Sequence, residues 1–142
     1  MEIKDSKLRY CIINPESGRL TIKLWVSEYL LSGADFKVFA ENKSLIEQFK
    51  LSADSDDYAT YFIKEDIQGL NKAQMAWNIL FCSNNPKISE GQIKIDVIQN
   101  QELCKMTIPA EWNMKDIPPC AVNNPISFTG SLIFIHKTKA PF

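Results

Sequence analysis

Along the segment "RLTIKLWV", Leu20, Ile22, Leu24 and Val26 fall on one side of an extended chain, and Arg19, Thr21, Lys23 and Trp25 on the other. A period of two sustained over eight residues marks a strand with one face in the core and one in water. "LRYCIIN" precedes it, and the linking "PESG" carries the Pro and Gly of a turn, so residues 8–26 read as a hairpin. Two more hairpins are predicted in the same way. "DFKVFAENKSLIEQFKL" turns at Asn42 and Lys43, and "QIKIDVIQNQELCKMTI" turns at Asn100 and Gln101. Laid tip on tip, these two place Val38 on Asp96 and Phe39 on Val97. The inward parity is therefore opposite and no repeat is implied, because a slip of one residue sends every side chain to the other face.

"ATYFIKEDI" reads as a short strand. "MAWNILFC" and "GSLIFIH" are continuous apolar runs, short for helices and rich in β-branched or aromatic residues, and they read as central strands covered on both faces. Helical patterning is poor. "SEYLLSG", with Ser27 as an N-cap and Gly33 as a stop, has room for one or two turns, and "GLNKAQMA" for another before Met75. About nine short, regularly spaced strands predict an all-β fold. The expected form is a β-sandwich of antiparallel strands in a single domain over residues 1–142, with a small β-barrel as the alternative. Leu24, Val38, Trp77, Phe81, Ile95 and Phe134 are its predicted core.

A second internal echo is better matched than the hairpins. "NNPKISEGQIKI" from Asn84 returns as "NNPISFTGSLIFI" from Asn123, and with one gap Gly91 aligns with Gly130, and Ile93 and Ile95 with Leu132 and Phe134, parity preserved. Asn tolerates turn geometry, Pro keeps the residue before it out of helix, and Gly permits a tight entry into a strand. Two loops built alike, carrying Asn85 and Asn124, could form one binding rim at an end of the fold, as loops on rigid scaffolds do.

Composition then narrows the chemistry. The chain has 142 residues, 45% hydrophobic and 23% charged, and the sixteen basic and seventeen acidic residues give a net charge of −1. With no basic patch, nucleic acid is not an expected partner. No stretch approaches the ~20 apolar residues of a membrane span, and "MEIKDSKLRY" lacks the basic and apolar regions of a signal peptide. An integral membrane protein is not expected, and the cytoplasm is the expected location. Cys11, Cys82, Cys104 and Cys120 lie far apart without a CxxC pair, so free, mostly buried thiols are expected and no metal site. "SADSDDY", with Asp54, Asp56 and Asp57, gathers oxygen ligands but lacks the glycine and terminal glutamate of an EF-hand, and reads as a solvated loop.

No catalytic arrangement stands out. The single histidine, His136, ends the most apolar strand and reads as a residue hydrogen-bonded to its neighbours; GxSxG, GxGxxG and Walker patterns are absent. No cofactor is expected. Aromatic residues remain as binding anchors. Trp25 occupies the polar side of its strand, and Trp112 lies in "PAEWNMKDIPPC", where Pro109, Pro118 and Pro119 argue against regular structure. The reading is a non-catalytic protein-interaction module, an adaptor or a toxin-neutralising partner, that binds another protein through a loop rim (Trp112, Asn85, Asn124) or the sheet face carrying Trp25. The alternative is a carbohydrate- or lipid-headgroup-binding domain using Trp112, Tyr58 and Tyr61. A hydrolase with an unrecognised site comes third.

Overall fold

The computed structural model describes residues 2–16, 18–27, 29–51, 58–83, 90–100, 102–106, 111–115 and 125–138. They form β1 (Glu2–Lys4), β2 (Tyr10–Ile13), β3 (Leu20–Ser27), β4 (Tyr29–Phe39), β5 (Leu45–Leu51), β6 (Tyr58–Phe62), a 3-10 turn (Ile67–Leu70), β7 (Gln74–Ser83), β8 (Glu90–Gln99), β9 (Glu102–Leu103), β10 (Lys105–Met106), β11 (Glu111–Lys115) and β12 (Ile126–His136). The fold is all-β in two sheets. The first runs β10-β2-β12-β7-β4-β5 with β1 also on β12, and the second runs β11-β8-β3-β6 with β9 also on β8.

The inward residues alternate as the sequence pattern requires. Leu20, Ile22, Leu24 and Val26 of β3 and Ile93, Ile95 and Val97 of β8 are buried, as are Phe36 and Val38 of β4, Met75, Trp77, Ile79 and Phe81 of β7, and Phe128, Leu132 and Phe134 of β12. All six predicted core residues are among them. Fully burying a side chain of this size stabilises by roughly 1.5–3 kcal/mol, so this alternation is the main determinant of the fold.

Two of the three expected hairpins form. β4 and β5 pair antiparallel around the Asn42–Lys43 tip, with Lys43 at φ 69°, and β8 and β9 pair antiparallel in the register Gln99↔Glu102, with Asn100 at φ 53°. Residues 8–26 do not form a hairpin, because β2 lies in the first sheet and β3 in the second. The turn instead arches between sheets, held by Gln99, whose side-chain amide donates to Asn14 O and Gly18 O and accepts from Asn14 N. "SEYLLSG" is not helical. Of its described residues, Ser27 ends β3 and 29–33 open β4. The turn expected before Met75 is present as the 3-10 turn followed by Asn71 and Lys72.

β7 and β12 are central strands, but each is covered on one face only: Asn78 is exposed, and Ile133 and Ile135 are half-buried. β12 also has parallel partners. β1 and β2 lie end to end along its one edge, in register at Glu2↔Ser127 and Tyr10↔Ile133, while β7 pairs antiparallel on the other. Asp5 N bonds to Thr129 O as β1 ends, and Ile133 N bonds to Arg9 O where β2 takes over, so residues 5–9 interrupt a single broken strand.

Candidate functional site

Trp112 lies in a strand, contrary to the expectation of a proline-bound loop. β11 pairs with β8 at the edge of the second sheet, and the Trp112↔Ile93 register turns the indole inward. An edge strand bounded by prolines keeps its ladder because the prolines fall outside it. The Trp112 ring meets Trp77 at 5.3 Å and Phe128 at 5.4 Å between centroids, both nearly edge to face. Its N–H donates to Asp5 Oδ2 at 2.7 Å, and the Arg9 guanidinium stacks 4.6 Å from its ring. Trp112 therefore closes the fold between the sheets and is not an exposed rim residue. Asn85 and Asn124, its expected companions, lie outside the described residues, as do Asp54, Asp56 and Asp57.

Tyr61 is half-buried and equally engaged. Its ring stacks on Phe49 at 3.8 Å, and its hydroxyl donates to Glu47 Oε2 at 2.6 Å, bridging β6 of one sheet to β5 of the other. Burial and the Glu47 carboxylate push its phenol up to about 12. In a spectrophotometric titration, one of the four tyrosines should ionise last, near pH 12, and Glu47→Gln should bring it down. Because the folded value is raised, the stabilisation from this group is complete below the ordinary phenol value and is lost as pH rises through 12. Tyr58 is placed by its backbone opposite Trp25.

The outer face of the second sheet gathers the remaining candidates in register. One row runs Phe62↔Thr21↔Ile98↔Leu103 across β6, β3, β8 and β9; the next is Thr60↔Lys23↔Asp96, and the third is Tyr58↔Trp25↔Lys94↔Glu111. Phe62 is 69% exposed and Leu103 63%, with the half-buried Ile98 between them. The Trp25 N–H donates to Asp96 Oδ2 at 2.8 Å, Lys23 Nζ lies 4.6 Å from the Trp25 ring, and Lys94 Nζ is 3.7 Å from the same carboxylate. Asp96 is only 7% exposed on an otherwise open face. It is held under Trp25, so the indole is fixed in place by a charge-assisted hydrogen bond.

Phe62, Ile98 and Leu103 were not singled out from the sequence, though a signal was there. Each is an apolar residue on the parity that its strand gives to water, as Ile98 is against inward Ile93, Ile95 and Val97. Leu103 needs the Asn100–Gln101 turn to bring it opposite Ile98.

Clefts also open among the described residues, two of which are well formed. One, of about 480 Å³, lies on the first sheet around Ser32, Asp35, Lys50 and Asn78; the other, of about 330 Å³, is lined by Asn14, Gln99, Glu102, Leu103, Cys104 and Lys137. Neither is lined by an aromatic ring. His136 donates through Nε2 to Ile67 O at 2.7 Å, and its backbone N–H donates to Asn71 Oδ1, as expected of a strand-end histidine. Among the described residues, no three His, Cys, Asp or Glu side chains are grouped to hold a metal ion, and no helix is long and apolar enough to cross a membrane. Comparison of the chain with protein-family models, curated proteins and solved structures finds no match, so the functional reading rests on this geometry.

Proposed function

We propose that this chain is a non-catalytic protein-interaction module, of the adaptor or toxin-neutralising kind, and that it binds another protein through the outer face of its second sheet. The observation that carries this reading is the row Phe62, Thr21, Ile98 and Leu103, which sets two large, mostly exposed apolar side chains on the same face as a tryptophan fixed by Asp96. Protein interfaces pair an apolar, aromatic-rich centre with a polar rim, and contiguous exposed apolar groups on a folded domain mark such surfaces. Here Lys23, Lys94 and Glu102 supply the rim. The carbohydrate- or lipid-headgroup reading is less well supported, since two of its three aromatic residues, Trp112 and Tyr61, are occupied inside the fold.

The test is comparative capture from the native host. Wild-type chain and a Phe62→Glu/Leu103→Glu variant are immobilised side by side, with Leu45→Glu, exposed on the other sheet, as a control. A protein retained by wild type and the control but lost with the double variant is the expected result, with stability changed by less than ~1 kcal/mol as at most surface sites. Equal retention by all three chains would refute this face as the binding surface.

A further inference from the structure

Cys11 and Cys104 are separated by most of the chain, yet they meet at the edge of the first sheet. β10 pairs antiparallel with β2 in the register Met106↔Cys11 and Lys105↔Ile12. Cys104, two residues before Met106, therefore lies on the same face as Cys11, diagonally across the strand pair. Cys104 is also where the chain changes sheets. Its N–H still bonds to Val97 O on β8, while the next two residues already belong to β10. The two thiols are free, and the β2–β10 register brings them to the same edge of the sheet. They differ in access, for Cys11 is 0% exposed, whereas Cys104 is half-buried and lines the cleft formed with Asn14, Gln99 and Lys137.

We propose that Cys11 and Cys104 are the two halves of a reversible disulfide, with Cys104 as the attacking sulfur and Cys11 as the resolving one. Their placement on one face of the β2–β10 pair, entry to Cys104 through an open cleft and burial of Cys11 define these roles. β10 is only two residues long and lies at the sheet edge, so it can take up the approach that the covalent bond needs. The co-reactant is a low-molecular-weight disulfide. The Cys104 thiolate attacks one of its sulfurs, breaking that S–S bond, forming a mixed disulfide and releasing one thiolate. Cys11 then attacks Cys104 Sγ, its proton passing to the second thiolate as that group is expelled. The two cysteines are oxidised by two electrons and the small disulfide is reduced to two thiols. The hydrogen bond with Cys11 lowers the Cys104 thiol against the effect of its burial, and the same contact with Cys104, reinforced by burial, raises Cys11. Both directions favour Cys104 as the nucleophile. In a compartment that keeps thiols reduced the pair remains a dithiol; in an oxidising one it ties the crossover from the second sheet to the edge of the first.

The experiment treats the reduced, folded full chain with oxidised glutathione, quenches in acid, and counts thiols after unfolding. Two of the four thiols should be lost, and tryptic digestion without reductant should yield the peptide Tyr10–Arg19 joined to Ile95–Lys105. The oxidised chain should unfold at a higher urea concentration than the reduced one, because the bond closes a long loop of the unfolded chain. Cys11→Ser should stall with glutathione on Cys104, whereas Cys104→Ser should take up none at Cys11. Retention of all four thiols, glutathione on both cysteines without the joined peptide, or a joined peptide containing Cys82 or Cys120 instead would each overturn the proposal. The wild-type peptide decides the matter even where a serine variant fails to fold.

Discussion

Trp77→Ala should lower the unfolding free energy by about 3–5 kcal/mol, the cost of removing the largest kind of side chain from a packed interior. Trp77 is 3% exposed and forms a closed aromatic triangle with Trp112 and Phe128, at centroid distances of 5.3 and 6.1 Å, the third side being 5.4 Å. The triangle joins the sheets, since Trp77 and Phe128 belong to the first and Trp112 to the second. Trp77 also explains a glycine. Gly130 is its register partner on β12, and a Cβ there would lie 2.4 Å from Trp77 Cζ2 and 2.7 Å from Cε2. Those atoms belong to a rigid ring wedged between two others, so Gly130→Ala should cost about 1–3 kcal/mol through overpacking. A double-mutant cycle by urea unfolding separates this from any backbone effect. In a Trp77→Phe background, which lacks the crowding atoms and the buried indole N–H that has no acceptor, Gly130→Ala should become neutral or stabilising, since alanine loses less entropy than glycine in a strand. An equal cost in both backgrounds would show that the ring is not the reason for the glycine.

The same glycine shows how far the fold could be read from one chain. Its place in the echo of "NNP" segments is legible, and the echo's inward parity holds, since Ile93, Ile95, Leu132 and Phe134 are all buried. The two strands nevertheless lie in different sheets, β8 in the second and β12 in the first. Periodicity reports which side of a strand is wet, and it does so for β3, β4 and β8, whereas the apolar run of β7 hides its wet side. It carries no information about which strand lies alongside. "PESG" illustrates the limit, because Pro and Gly reverse the chain equally well for a hairpin and for an arch between sheets. Consecutive strands share a sheet only as β1/β2, β4/β5 and β8/β9, so reading neighbours in sequence as neighbours in space fails at most connections. Trp112 was misplaced because its flanking prolines outweighed a five-residue strand too short to display a period. Cys11 with Cys104, and Phe62 with Leu103, depend on the same long-range pairing and could not be joined before the register was known. The face carrying Trp25 is accessible by a simpler route, since an aromatic residue next after Lys23 on the wet parity of β3 is out of place unless something holds it there.

Asp5→Ala should be about as damaging as the loss of an aromatic ring, about 3–5 kcal/mol, because it removes a buried carboxylate that accepts from a guanidinium, an indole N–H and a backbone N–H at once. The Asp5 and Arg9 side chains are only 5% and 4% exposed, and Asp5 accepts hydrogen bonds from Arg9 Nε, Trp112 Nε1 and Lys7 N. One carboxylate thus ties together the break between β1 and β2 and the edge strand β11. Burial by itself would raise this carboxyl, but the bonds from Arg9, Trp112 and Lys7 and the Arg9 charge outweigh it, holding Asp5 below the usual carboxylate value. The folded chain therefore binds this proton less readily than the unfolded chain does. Its stabilisation is complete above the unfolded carboxylate value, near 3.9, and is lost as pH falls through the folded value. Asp5→Asn keeps the shape and removes the charge, so it mimics protonated Asp5 at every pH. Urea midpoints should place the wild type well above Asp5→Asn near neutrality, with the difference closing from about pH 5 downwards. A difference that stays constant into strong acid would mean that Asp5 acts through its shape and hydrogen bonds alone. Trp112→Phe, which keeps the aromatic triangle but deletes one donor, should move the acid transition to higher pH, because the carboxylate then loses one of the bonds that favour its charged form.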